Sequence, residues 1–195
     1  MQNDAKCAAI AEKQWGSLKE YDDALFLILG TGVGGAVFLQ GELLVPKRYS
    51  GFEVGHMVIE KNGTKCNCGR KGCFEVYGSM KRLKQKMKQE FNLNSIEGKE
   101  IKEFILKNKE NEKIETIINN YIENLTIGIS NLINIFEPEV ISIGGSFAYY
   151  KEILLEKLEN KLLEKTELYN KDKIPKIVMA ELKNDAGIIG AAMQS

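Results

Sequence analysis

The feature that most constrains this chain is a group of three cysteines within eight residues, in the segment KCNCGRKGC at 65–73. Cysteines this close pair poorly with one another, and the N-terminal sequence lacks the basic-then-apolar profile of a secretory signal. We therefore interpret them as metal ligands rather than as disulfide partners. The only histidine of the chain lies ten positions before the first of them. The predicted ligands are His56, Cys66, Cys68 and Cys73.

Three thiolates and one imidazole form a closed tetrahedral set that suits zinc. Because such a set leaves no position for a reactive water, the predicted zinc is structural and staples a loop with little core of its own. Gly69 and Gly72 allow the tight turns that this requires. The alternative is three reduced cysteines in a loop beside an unrelated histidine. Cys7, in an alanine-rich segment, is interpreted as a small buried residue.

Composition excludes several classes of protein. Lys+Arg and Asp+Glu both number 27, so the chain lacks the basic excess of a dedicated nucleic-acid binder. Hydrophobic residues make up 44%, which is too many for a disordered chain. The best candidate for a membrane span, residues 24–39, is interrupted by glycines, so no span is predicted. The sequence favours a cytoplasmic protein of one large domain or two small ones.

Apolar patterning predicts an α/β fold. Buried strands are expected at 24–29, 36–40, 140–144 and 176–180, with the first two forming a hairpin, and a short strand at 57–60. Helices are expected at 5–15, 74–90, 114–136 and 147–165, with a short helix and loop in 92–113 and a last helix from Ala186 capped by Asp185. Strands that alternate with helices near the C-terminus pair in parallel, whereas the hairpin is antiparallel, so the sheet is predicted to be mixed.

Two glycine turns follow predicted strands. The first, GTGVGG at 30–35, has neither the Gly-Lys-Ser/Thr of a Walker loop nor the following helix of a dinucleotide-binding fold. Its amides are suited to cradling a phosphate, and the alternative is an ordinary hairpin turn. The second, at Gly144–Gly145, lies where a strand meets a helix, which is a common place for a nucleotide to approach.

Two carboxylates flank the cysteine segment. Glu53 lies three residues before His56, and Glu75 lies two residues after Cys73. A bound zinc would draw both toward one place, and a histidine that binds zinc through one ring nitrogen keeps the other for a ligand. Together these side chains suit a polyhydroxylated substrate. The alternative is that each glutamate is simply exposed to solvent.

The motifs in sequence are N-D-A at 3–5, L-G-T-G-V-G-G at 29–35, E-V-G-H at 53–56, C-N-C-G-R-K-G-C-F-E at 66–75, I-G-G-S at 143–146 and D-A-G-I-I-G-A-A at 185–192. This series resembles the ROK family of bacterial sugar kinases and sugar-responsive repressors. The resemblance implies the actin-like, ribonuclease-H-like ATPase fold. It also implies that residues 1–195 are the C-terminal lobe of that fold, with a mixed sheet, flanking helices and a zinc-stapled loop at 53–75.

The resemblance also implies roles at matching positions. Asp4 is the expected catalytic base, which accepts the proton of the attacking sugar hydroxyl. The expected sugar ligands are Asn3, Glu53, His56 and Glu75. The expected ATP contacts are Gly30, Thr31, Gly32 and Gly34 on the phosphates and Gly144 and Gly145 on the adenosine side. The family implies structural zinc, ATP with Mg in the complete protein, and a homodimer.

The sequence departs from the family in two places. It contains no D-x-G-G-T phosphate loop, so we expect the N-terminal lobe to be absent and the chain alone to have negligible activity. Phe52 stands before Glu53, where the family usually has a small residue, and either narrows the sugar pocket or packs beside it. Two functions stay open: a fragment of an ATP-dependent hexose or N-acylhexosamine kinase, and the sugar-binding domain of a repressor. Contact with nucleic acid would require a helix-turn-helix before residue 1.

Overall fold

A computed structural model describes residues 4–47, 52–165 and 174–182. Its centre is a five-stranded sheet in the order β3-β2-β1-β4-β5. The strands are β1 (Ala24–Leu29), β2 (Val33–Leu39), β3 (Glu42–Leu43), β4 (Val140–Gly144) and β5 (Lys176–Met179). β1 is antiparallel to β2 and parallel to β4, and β4 is parallel to β5, so the predicted mixed sheet is confirmed.

The hairpin differs from the prediction in where its second strand begins. β2 starts at Val33 rather than at residue 36, because Gly34 and Gly35 pair with Ile28 and Leu27 in register. Two glycines weaken a strand pattern in the sequence, but their small size fits a crowded position. A Cβ at Gly35 would lie 2.9 Å from the carbonyl oxygen of Phe26.

Six α-helices surround the sheet in the described residues: α1 (Asp4–Trp15), α2 (Glu75–Gly78), α3 (Met80–Phe91), α4 (Gly98–Lys107), α5 (Glu112–Phe136) and α6 (Lys151–Lys165). The single helix predicted over 74–90 is divided at Ser79, whose backbone is extended (φ −72°, ψ 145°). The six residues that immediately precede α6, Gly145–Tyr150, form a 3₁₀ helix. The strand predicted at 57–60 is wrong, since only an isolated bridge joins Val58 to Cys73. The helix predicted from Ala186 lies outside the described residues.

The two faces of the sheet carry different cores. Leu25, Leu27 and Leu29 pack in one buried cluster with the apolar positions of α5 and α6. Ala24 and Phe26 face the other side, against the alanines of α1. The small side chains of α1 let it approach closely, and the Cβ of Ala5 lies 3.0 Å from where a Cβ on Gly34 would stand. This close packing fixes the start of α1 beside β2.

The parallel pairing of β1 and β4 sets the position of both glycine turns. Ile28 lies opposite Gly144, so these strands end at the same edge of the sheet. The GTGVGG turn follows β1 there, and Gly144–Gly145 ends β4 beside it. Within the described ranges, none of the helices is both long enough and apolar enough to cross a membrane.

Candidate functional site

The predicted metal ligands come together in space. One donor atom from each of His56, Cys66, Cys68 and Cys73 lies within 4.8 Å of all the others. The Sγ of Cys66 is 3.7 Å from Nδ1 of His56, and the Sγ of Cys68 is 3.6 Å from that of Cys73. Zinc bonds of 2.0–2.3 Å in a tetrahedron give distances between ligand atoms of roughly 3.3–3.8 Å. The two distances given above lie in this range, and the donor set of three sulfurs and one imidazole nitrogen suits a zinc ion.

Glycines bring the ligands together. Gly69 (φ 89°) and Gly72 (φ 74°) have left-handed backbones that other residues adopt only with strain. The amide of Gly69 donates to the carbonyl of Cys66 (3.0 Å), which closes the turn that carries the first two cysteines. A Cβ on Gly72 would collide with the carbonyl of Glu60. These contacts explain why glycines separate the ligands in the sequence.

One neighbour of the cluster was not anticipated from the sequence. The backbone amide of Arg70, with its guanidinium, hydrogen-bonds the sulfur of Cys68 and lowers the pKa of this exposed thiol to about 6. Burial raises the pKa of the Cys73 thiol to about 12. Because thiolates are the zinc-binding species, Cys68 is prepared for metal at neutral pH, whereas Cys73 would release its proton as it binds. In the sequence, the only feature that points to Arg70 is its position inside the cysteine segment.

The two flanking glutamates differ in their surroundings. Glu75 is the first residue of α2, and its Oε2 accepts a hydrogen bond from the backbone amide of Val33 (3.1 Å), at the end of the first glycine turn. Glu53 is exposed and precedes the 3₁₀ turn Val54–His56, where its carbonyl accepts from the amide of His56 (2.9 Å). The structure thus places Glu75 against the turn and Glu53 at the start of the loop that carries the predicted metal ligands.

The first glycine turn, at 30–35, is held by two backbone hydrogen bonds at Gly30. The amide of Gly30 donates to the carbonyl of Gly32 (3.0 Å), and the carbonyl of Gly30 accepts from the amide of Lys81 (3.1 Å). A Cβ on Gly32 would collide with the carboxylate of Glu75. Thr31, between these glycines, is exposed at the tip. The brace from Lys81 was also missed in the sequence, because a backbone amide leaves no residue signature.

The second glycine turn lies next to the first. Gly145 has a left-handed backbone (φ 74°), and a Cβ there would stand 2.7 Å from the carbonyl oxygen of Leu29, the residue before Gly30. Only a glycine allows this approach of β4 to β1 without strain. The structure therefore brings Gly30, Thr31, Gly32, Gly34, Gly144 and Gly145 to one edge of the sheet, as their placement after strands predicts.

Three residues singled out in the sequence remain: Asp4, Asn3 and Phe52. Asp4 begins α1, whose first turn packs against Gly34 of β2. Asn3 lies outside the described residues. Phe52 has a left-handed backbone (φ 64°), and its ring centroid lies 5.6 Å from that of Phe136, the last residue of α5. Of the two alternatives for Phe52, the structure favours packing beside the site.

Known proteins resemble this chain over nearly all its length. The glucokinase of Thermotoga maritima is 30% identical, in an alignment that covers 98% of this chain and 64% of that protein. The xylose repressor of Caldicellulosiruptor bescii is 30% identical over 96% of this chain and 49% of its own length. The crystal structure of a ROK family glucokinase from Streptomyces griseus, in complex with glucose and AMPPNP, superposes with a TM-score of 0.86. It is 25% identical and covers 100% of this chain and 67% of that one.

These comparisons confirm the fold inferred from the motifs. The mixed sheet with flanking helices matches ROK kinase structures, which have the actin-like ATPase fold. The chain spans about two thirds of the glucokinase and half of the repressor. The sequence profile of the ROK family matches residues 1–194. The chain therefore belongs to the ROK family.

Proposed function

We propose that this chain is the C-terminal lobe of an ATP-dependent kinase that phosphorylates a hexose or an N-acylhexosamine. The observation that carries the proposal is the meeting of three features at one edge of the sheet. These are the two glycine turns, the zinc loop and the carboxylate of Glu75, which contacts the first turn through the amide of Val33 at 3.1 Å. A phosphoryl-transfer site needs phosphate and acceptor held side by side, and this arrangement provides positions for both.

The sugar half of the site is formed by the zinc loop and the start of α1. Nδ1 of His56 faces Cys66, so a zinc bound there would fix the orientation of the ring and leave Nε2 to donate to a sugar hydroxyl. Glu53, Glu75 and Asn3 would accept from or donate to other hydroxyls. Asp4, at the N-terminus of α1, would accept the proton of the attacking hydroxyl. Holding that hydroxyl in line with the phosphate is the larger contribution of such a residue.

The nucleotide half is formed by the glycine turns. Backbone amides of 30–34 would bind phosphate oxygens, and Gly144–Gly145 would let the adenosine approach the end of β4. ATP would supply the phosphoryl group, and Mg would offset the charge of its phosphates. An opposing lobe that carries the D-x-G-G-T loop would complete the site in a longer protein. We expect that protein to be a cytoplasmic homodimer.

The test is phosphorylation of a panel of hexoses and N-acylhexosamines by the longer protein that carries this chain. Changing Asp4 to Ala should lower turnover by about 10²–10⁴-fold and leave the dissociation constant of the sugar nearly unchanged. Lys19→Ala, at an exposed position in the loop after α1, serves as the control and should retain full turnover. Undiminished turnover in Asp4→Ala would show that the assigned base is wrong.

A second candidate function is supported by the similarity to xylose repressors over 96% of this chain. In that case the lobe would bind a sugar as an effector, with the zinc loop and Glu53 in the same roles. A longer protein that binds sugar tightly, never transfers phosphate from ATP and releases an operator DNA when sugar is added would favour the repressor. Turnover with any sugar of the panel would favour the kinase.

A further inference from the structure

The backbone amide of Val33 lies at an edge of the sheet, on the side of β2 that faces away from β1. Val33 pairs with Leu29, but its own carbonyl faces Gly55, where a Cβ would collide with it. The carbonyl of Leu29 faces the opposite way, toward Gly145. The peptide groups of Val33 therefore point away from β1, toward the outer side of the hairpin. β3 does not extend this far, since it pairs only with Phe38 and Leu39.

The zinc loop covers this open edge of β2. Gly55, from the start of the loop, packs against the Val33 carbonyl, and Glu75, from its end, accepts the Val33 amide at 3.1 Å. An edge amide without a neighbouring strand is normally left to solvent. Here a side chain that is 42 residues distant takes the place of a strand.

The first residue of the glycine turn, Gly30, is also held by a hydrogen bond, from a residue that follows Glu75 closely in the chain. The amide of Lys81, in the first turn of α3, donates to the carbonyl of Gly30 at 3.1 Å. Glu75 thus holds the turn by a hydrogen bond at Val33, and Lys81 holds it by a hydrogen bond at Gly30. The segment between them is itself anchored, because Tyr121 donates to the carbonyl of Gly78 (2.9 Å) and Phe74 is fully buried.

We propose that Glu75 is a positioning residue for the glycine turn, and that this role is separate from its contact with sugar. A carboxylate has two oxygens with several acceptor sites. Oε2 holds the Val33 amide, while Oε1 is available for a sugar hydroxyl. One side chain would then link the sugar half of the site to the phosphate half. The consequence for ligands rests on the proposed function, whereas the effect on the turn does not.

The first measurement is amide hydrogen exchange by NMR on the zinc-loaded chain without sugar or nucleotide. Glu75→Asp shortens the side chain by one methylene and should speed exchange of the Val33 amide at least tenfold. Glu75→Gln keeps the length and an acceptor oxygen, so it should restore most of the protection. Exchange at Leu27 and Ile143 should stay slow in both variants, which shows that the sheet is folded. Unchanged Val33 exchange in Glu75→Asp would overturn the proposal.

Glu53→Gln is the matched control, because Glu53 is the other candidate sugar carboxylate of the loop and is exposed. It should leave Val33 exchange as in the unaltered chain. In the longer protein, Glu75→Asp should weaken binding of both AMPPNP and sugar, whereas Glu53→Gln should weaken binding of sugar alone. AMPPNP affinity that is unchanged when Val33 protection is lost would overturn the link between the two halves.

The two proposals fail in different ways. If the unaltered longer protein binds neither AMPPNP nor any sugar of the panel, the kinase assignment is wrong. The exchange data would still decide whether Glu75 holds the turn. If AMPPNP and sugar bind and Val33 exchange is insensitive to residue 75, the kinase assignment stands and the positioning role is wrong.

Discussion

The loop at 53–75, which we propose binds zinc, and the core of the sheet differ in what stabilises them. Most side chains of the loop are exposed, and its buried positions are few: Val54, Gly55, Cys66, Gly72, Cys73 and Phe74. In α5, by contrast, eleven of 25 residues are buried, at the spacing of a helix packed along one face. The core is stable because it removes apolar surface from water, whereas we expect the loop to depend on metal bound by the ligand cluster. A loop of this size cannot bury enough surface to fold by itself.

The largest expected effect that distinguishes the two regions is the loss of metal. We expect about one zinc per chain by elemental analysis, with an apparent binding free energy on the order of 10–16 kcal/mol. Cys73→Ala should lose the zinc and open the loop to protease at 60–72, while the sheet stays folded. Cys7→Ala, at the cysteine outside the cluster, should keep it. Protein prepared without chelator that holds no zinc would refute the assignment.

The next effect should be confined to the core. Leu125 is fully buried in α5, and Leu125→Ala should lower the free energy of unfolding by about 2–5 kcal/mol through lost contacts and a cavity. Zinc content should not change. Ile135→Ala is the control on the same helix, because Ile135 is 66% exposed and its truncation should cost less than about 0.5 kcal/mol. Denaturant unfolding measures both, and equal effects would contradict this view of the core.

The junction of the two regions gives a third test. Phe74 follows Cys73 and packs its ring against Gly78 and Gly128, where a Cβ at either glycine would lie within or near the ring. Replacing a helical glycine by alanine usually stabilises a helix, but Gly128→Ala should destabilise the protein by about 1–3 kcal/mol through overpacking. Gly98→Ala should be neutral or stabilising, because a Cβ at this helical glycine would meet only the hydroxyl of Tyr150, at an ordinary contact distance of 3.8 Å. Thermal unfolding of both variants shows whether the sign reverses.

The smallest effect is expected at Glu90 of α3, which forms surface ion pairs with Lys86 of α3 and Lys113 of α5. Hydrogen bonds from Lys113 and Lys86 lower the pKa of Glu90 to about 2, from an ordinary value of 4.5. A carboxyl whose pKa is lowered by folding stabilises the protein above its unfolded pKa, and this contribution is lost as the pH falls through the folded value. Glu90→Gln should therefore lower the melting temperature slightly at pH 7, with a difference that shrinks below pH 4.5.

The matched control for this last prediction is Glu20→Gln, which removes an exposed glutamate in the loop after α1. Its melting temperature should follow that of the unaltered chain at every pH. Added salt should reduce the effect at Glu90, because exposed charges are screened. A difference at Glu90 that grows as the pH falls from 4.5 toward 2 would contradict the assigned sign.

Elements with a clear burial pattern were predictable. β1 is a continuous apolar run, β4 is apolar apart from Ser142 and its final glycine, and α5 shows its buried stripe in the sequence, so all three appear close to their expected bounds. The strand expected at 57–60 does not form. Instead, the backbone amides of Ile59 and Glu60 both donate to the carbonyl of Gly72, within the loop itself. The break at Ser79 was also missed. At this break the carbonyl of Gly78 accepts a hydrogen bond from the hydroxyl of Tyr121, which lies 43 residues further along the chain.

The sequence by itself determined the grouping of His56 with three cysteines, the two glycine turns and the mixed sheet. Each is encoded in residue type and short spacing, since only certain side chains bind zinc and only glycine permits those backbones. The tertiary structure alone decided that Glu75 contacts Val33 and that Phe52 packs on Phe136. These contacts join residues far apart in the chain, and their partners are a backbone amide and an apolar ring. Neither has a sequence signature, because almost every residue has an amide and apolar rings pack wherever the fold brings them together.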